Sequence, residues 1–184
     1  MEPFLRFYNQ KYKTNWRKDQ ISDYKFWNIL GVTREQAIYD VHDFYKTSEA
    51  INSKPIIGAI DGVNFLERNN GLVIITGRPA YQRENTINGV GKSFPGGFSK
   101  FNNNFYFTNN FALDGYRPIK KLEVCLKLGS PLLIEDSLET AIECASNIGV
   151  ILLNQPWNQT ESLPNGIVRV KSWKEIVEEV KKIQ

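Results

Sequence analysis

The chain has 184 residues and a mass of 21.2 kDa, enough for one domain with a sizeable core, or one domain with a small appendage. Its 23 basic and 20 acidic residues leave a formal charge of +3 that is spread along the sequence, which argues against nucleic acid as a partner. No apolar run is long enough to span a bilayer and the N-terminus lacks a signal-peptide pattern. Cys125 and Cys144 have no C-x-x-C spacing, so the expectation is a cytoplasmic protein with two reduced, buried thiols and no membrane partner.

The first fifty or so residues are helical in pattern and rich in aromatics. Phe4, Leu5, Phe7 and Tyr8 fall on one face of a first helix, and Ile38, Val41, Phe44 and Tyr45 on one face of a second, with Thr33 and Gln36 as a capping box. The stretch between them, Asp19 to Leu30, reads as irregular. Asn52-Ser53-Lys54-Pro55 reads as a linker, after which helix and strand alternate. The expected order is helix 58–68, strand 72–75, helix 80–90, strand 105–107, helix 119–128, strand 132–134, helix 138–148, strand 150–153, strand 167–170 and a closing helix from Trp173. Strands separated by helices require crossover connections, so the fold class is α/β with a parallel sheet covered by helices on both faces. Lys92 to Phe98, K-S-F-P-G-G-F, is a glycine-rich connection within this region.

Two apolar runs end in chemistry. Gly71 to Pro79, G-L-V-I-I-T-G-R-P, would carry Thr76, Gly77 and Arg78 to the carboxyl edge of a sheet, where α/β proteins hold phosphate. There the Thr76 hydroxyl can donate to a phosphate oxygen, the Gly77 amide can approach it closely, and Arg78 can pair with phosphate or with a structural carboxylate. The run Leu132-Leu133-Ile134 ends at Glu135-Asp136-Ser137. Adjacent acids at a strand end are electrostatically costly unless a cation offsets them, and magnesium is the natural one beside phosphate. The alternative is a solvated helix cap in which Asp136 or Ser137 satisfies the next helix. Lys120-Lys121 opens a helix where the dipole disfavours cations, so one of the two is either a phosphate clamp or simply solvated.

Other signals read as ordinary structure. Gly91-Lys92-Ser93 is not a P-loop, because Thr86 stands where the required glycine should be and no strand precedes it. His42 lies among apolar residues on a helix and suits packing or the surface better than catalysis. Asn158-Gln159-Thr160 matches a glycosylation acceptor and reads only as a loop.

Taken as an ordered set, Thr76-Gly77-Arg78, Lys121 and Ile134-Glu135-Asp136-Ser137 resemble the second, third and fourth motifs of the haloacid dehalogenase (HAD) superfamily of phosphohydrolases. Segments including F-Y-N-Q-K-Y, L-V-I-I-T-G-R-P, L-L-I-E-D-S-L-E-T-A and Q-P-W-N-Q resemble its 5'(3')-deoxyribonucleotidase-like branch over nearly the whole chain. The resemblance implies a Rossmann-like core, residues 55–184, behind a small helical cap, residues 1–54. It implies a magnesium-dependent hydrolase of small phosphomonoesters, nucleoside monophosphates among them. Thr76 and Lys121 would take catalytic roles, Thr76, Gly77, Arg78 and Lys121 would hold phosphate, and Glu135 and Asp136 would bind or orient Mg2+. Trp16, Tyr24 or Trp27 would stack on a base, although packing of the cap explains these rings equally well.

The sequence departs from the family in one place. The first motif, a strand ending in D-x-D with the nucleophilic aspartate, should lie just before the cap, and no D-x-D occurs in the chain. Ile60-Asp61-Gly62-Val63 has its tail only, with Ala59 in the nucleophile position. In the family that strand is central, so its loss is expected to expose two apolar edges beside the strands ending at Thr76 and Ile134. Three explanations stand open: a start further upstream, direct pairing of the flanking strands in a non-catalytic protein, or a strand supplied by another polypeptide or a homodimer partner. The alternative function is accordingly a pseudophosphatase that binds a phosphorylated ligand or a partner without turnover.

Overall fold

The computed structural model describes residues 1–94, 104–112 and 116–183. The N-terminal helices build an aromatic core of their own. Helix α1 (Glu2–Tyr12) starts with a proline in its first turn and buries Phe4, Leu5 and Tyr8. Helix α3 (Arg34–Tyr45) packs against it, with the Phe4 ring 5.3 Å from that of Phe26 and 5.8 Å from that of Phe44. Thr33 caps α3 by accepting from the Gln36 amide at 3.2 Å. Gln36 does not return the bond: its side chain donates to Tyr12 and to the fully buried Asp40, so the expected box is a simple cap. The stretch read as irregular contains a 3-10 turn at Lys18–Gln20 and a one-turn helix α2 (Trp27–Leu30), which Gly31 stops at φ 69°. The turn is too short to show a period. Another one-turn helix, α4 (Ser48–Ile51), precedes the linker.

The rest alternates as expected: α5 (Ala59–Leu66), β1 (Ile74–Thr76), α6 (Arg83–Ser93), β2 (Phe105–Phe107), α7 (Lys121–Leu128), β3 (Leu132–Glu135), α8 (Leu138–Ala145), β4 (Gly149–Leu153), β5 (Ile167–Val170) and α9 (Trp173–Lys181). A 3-10 turn, Ala80–Gln82, begins what was expected to be one continuous helix. In the glycine-rich connection, Lys92 and Ser93 still belong to α6, and Pro95 to Phe98 lie outside the described residues.

All strand pairs are parallel, and β4 lies between β3 and β5. Being paired on both edges and covered on both faces, β4 is apolar throughout. Val150 and Leu152 pack on Cys125, Ala141 and Cys144 of α7 and α8, whereas Ile151 and Leu153 pack on Leu66, Ile176 and Val180 of α5 and α9. Both cysteines are free and buried in the first of these layers. Helix α5 approaches α9 closely because Gly62 has no side chain, and a Cβ there would stand 2.7 Å from the Trp173 ring.

Among the described residues the single sheet that was expected is instead two: β1 and β2 form one, β3 to β5 the other. Strands β1 and β3 do not pair with each other. Between them runs an apolar slot of about 420 Å³, lined by Ile74 and Ile75 on one side and Leu132, Leu133 and Ile134 on the other. Direct pairing would require neighbouring strands about 4.8 Å apart with a ladder of hydrogen bonds between them, and no such ladder joins β1 to β3. No helix among the described residues is long and apolar enough to cross a membrane.

Candidate functional site

The carboxyl end of β3 gathers the acidic half of the site. Lys121, the first residue of α7, places its Nζ 2.7 Å from Glu135 Oε2, with the two side chains only 12% and 3% exposed. The other Glu135 oxygen accepts from the Ser137 amide at 3.1 Å. A lysine at a helix N-terminus is thus explained by a carboxylate brought to it across the fold. Lys120 turns outward to an exposed pair with Glu143. Between the alternatives for capping α8, Ser137 takes the role by accepting from the Thr140 amide at 3.3 Å, which leaves Asp136 out of the cap.

Asp136 faces a cleft of about 910 Å³ whose lining includes Met1, Lys18, Tyr24, Phe111 and Trp157. Its carboxylate has no side-chain hydrogen bond or ion pair among the described residues. Burial, reinforced by the neighbouring Glu135 charge, pushes its pKa up to about 6, with Lys121 acting in the opposite direction. The Tyr24 hydroxyl is raised by burial and then by Glu135 and Asp136. A phenol and an acid therefore share one partly desolvated space.

The Asp136 backbone is held by residues to which no role was given from sequence. Its carbonyl accepts from Trp157 Nε1 at 3.1 Å and from Asn158 Nδ2 at 2.9 Å. Asn158 is fully buried, also donates to the Leu153 carbonyl and accepts from Arg169 at 2.7 Å. Its amide is committed to the structure, and Asn158 closes a 3-10 turn, Pro156–Asn158, where a loop was expected. In sequence, Pro156-Trp157-Asn158 reads as an ordinary turn shortly after β4, and nothing in it marks this clamp.

The Thr76-Gly77-Arg78 turn behaves differently. Thr76 Oγ1 accepts from the Arg78 amide at 3.3 Å, and the Thr76 carbonyl accepts from the Thr108 amide at 2.8 Å. Gly77 packs closely, since a Cβ there would lie 3.3 Å from the Phe111 ring, which would have to shift slightly. Phe111 also lines the Asp136 cleft, and this ring links the two strand ends. Among the described residues, no hydrogen bond joins Thr76 to Lys121, Glu135 or Asp136. Arg78 turns away: its Nη1 donates to Thr86 Oγ1 at 3.2 Å and its guanidinium lies 4.5 Å from the centre of the Tyr45 ring. The structure thus brings Lys121, Glu135 and Asp136 together, leaves Thr76 on the far side of the slot, and puts Arg78 in another place.

Of the aromatics considered for stacking, Tyr24 lines the Asp136 cleft, Trp16 lines an adjoining one of about 890 Å³, and Trp27 packs on the N-terminal core. His42 is buried, with Nε2 2.8 Å from the Phe111 carbonyl and 3.0 Å from the Tyr81 hydroxyl, a packing position.

Among the described residues no group of three or more His, Cys, Asp or Glu is placed to hold a metal. Magnesium asks for less, since it commonly takes one or two carboxylates and keeps waters and phosphate oxygens for the rest. Asp136 fits that demand as a single open carboxylate. Both oxygens of Glu135 are engaged, so it suits holding Lys121 rather than a cation. Compared with protein-family models and with curated proteins, the chain matches none.

Proposed function

We propose that this chain forms the phosphate- and magnesium-binding part of a phosphomonoester hydrolase of the HAD, nucleotidase-like kind, with residues 1–54 as its cap and residues 55–184 as its Rossmann-like core. The observation that carries the proposal is the buried Lys121–Glu135 pair beside an open, unpaired Asp136 at the carboxyl end of a parallel strand. In this assignment Lys121 neutralises the charge of a phosphate ester, and Glu135 fixes the lysine in place. Asp136 holds Mg2+, which when bound would polarise the phosphoryl oxygens. The Thr76 hydroxyl reaches the phosphate from across the slot once a strand fills it. The nucleophilic aspartate would enter on that strand, in an upstream segment or on a second polypeptide.

The alternative, a phosphate-binding pseudophosphatase, is favoured by one observation: no D-x-D occurs in the sequence. Phosphate release from a panel of nucleoside monophosphates with Mg2+, measured alongside binding of the same compounds on the chain supplied with the missing strand as an upstream extension or a second polypeptide, separates the two. Turnover that falls about 100-fold in both Asp136→Asn and Lys121→Gln supports the hydrolase. Binding without turnover supports the pseudophosphatase, and neither binding nor turnover refutes both.

A further inference from the structure

Arg78 lines a cleft distinct from the one that holds Asp136. It has a volume of about 310 Å³ and lies where the N-terminal helices meet α6. Lys54 and Lys92 line it too, with Tyr45, Asn85 and Thr86, and no carboxylate is among its lining residues that are described. None of the three cations forms an ion pair among the described residues, whose salt bridges all lie elsewhere.

Three positive charges around one cavity repel one another, and two exposed lysines alone would merely be solvated. Arg78 differs because it is half-buried and held on two sides. The Tyr45 ring covers one face of the guanidinium, and Thr86 Oγ1 accepts from one of its nitrogens while donating to the Gln82 carbonyl at 2.8 Å. A guanidinium fixed in this way has lost its rotamer freedom before any ligand arrives, and its remaining N–H groups match the oxygens of a phosphate. Neutral donors stand around it: Asn85 and the Tyr45 hydroxyl can bond an anion without adding charge.

We propose that the Arg78, Lys54 and Lys92 cleft is a binding site for a diphosphate-type polyanion, separate from the Asp136 cleft. A ligand carrying two linked phosphates supplies enough negative charge for three cations, which a single monoester does not. Because Tyr45 belongs to α3 and Thr86 to α6, the bound anion ties the N-terminal helices to the α/β part. The 53–55 segment lines both clefts. The site stands whether or not the Asp136 cleft is catalytic.

The test is calorimetric titration of the whole chain with pyrophosphate at low salt, with EDTA present to exclude metal at Asp136. A nucleoside diphosphate is titrated in parallel to tell a free polyphosphate from a nucleotide tail. Arg78→Gln is expected to weaken pyrophosphate binding about ten-fold or more, and the exposed Lys92→Gln and Lys54→Gln about three-fold each. Lys18→Gln, which alters the lining of the Asp136 cleft, is expected to leave it within about two-fold, and raising the salt to weaken binding in the native chain. Absence of binding at about 10 mM pyrophosphate, affinity unchanged in both Arg78→Gln and Lys92→Gln, or loss of binding in Lys18→Gln would each overturn the proposal.

Discussion

Replacing Asp136 by asparagine is expected to make the chain more stable at neutral pH while removing what the proposed function needs. The carboxylate is half-buried next to Glu135, and its pKa is raised from the ordinary 3.8 to about 6. An acid whose folded pKa is raised binds its proton more tightly in the native state than in the unfolded one, so stability falls as pH rises through the window between those values. The penalty is absent below about 3.8, grows up to about 6 and is complete above it, where the rise is equivalent to about 3 kcal/mol. Asparagine removes the charge and keeps the shape, but its amide loses about 1 kcal/mol if it finds no new partner. The net gain at pH 8 is therefore about 1–3 kcal/mol, or about 2–4 °C in melting temperature per kcal/mol for a chain of this size. Urea denaturation of both proteins between pH 4 and 8 isolates the effect, since other titrating groups cancel in the difference. A variant less stable than the native chain at pH 8, or a gain that is the same at both ends of the range, would refute the reasoning.

Other perturbations follow from the same geometry. Because a cation competes with the proton on Asp136, Mg2+ affinity measured by calorimetry should fall about ten-fold per pH unit below about 6 and level off above it. Lys121→Met leaves Glu135 buried without its partner and should cost about 3–5 kcal/mol in urea denaturation. Lys121→Met combined with Glu135→Leu should recover most of that loss, and a double variant no better than the single one would contradict the pairing. Gly62→Ala pushes a methyl group into the Trp173 ring, so a loss of about 1–3 kcal/mol is expected from overpacking at the contact of α5 and α9. Backbone amides of β4, bonded on both edges, should exchange with deuterium more slowly than those of β1 and β3, which border the slot, and equal protection would mean that the slot is closed.

Local patterns carried most of the elements. The alternation of apolar runs with helical periods placed all five described strands within about two residues, because strands packed under helices are short, mostly apolar runs. Helix ends were legible where a cap exists, as at Thr33. One-turn helices such as Trp27–Leu30 were not, since a single turn shows no period. At the site, Glu135 and Asp136 stood out as adjacent acids after an apolar run, and Lys121 as a cation at the wrong end of a helix. The Asn158 clamp was hidden, because a buried amide and an exposed one look alike in sequence.

By itself, then, the sequence determined the α/β class, the parallel strands and the candidates at each strand end, all of which depend on neighbours within one element. Only the tertiary structure decided that Lys121 rather than Lys120 meets Glu135, that Ser137 frees Asp136, and that Arg78 leaves Thr76 for Tyr45 and Thr86. It likewise decided that β1 and β3 stand apart across an apolar slot. Those outcomes depend on which side chains meet across long separations in the chain, where burial and charge compensation select among partners that local patterning leaves equivalent.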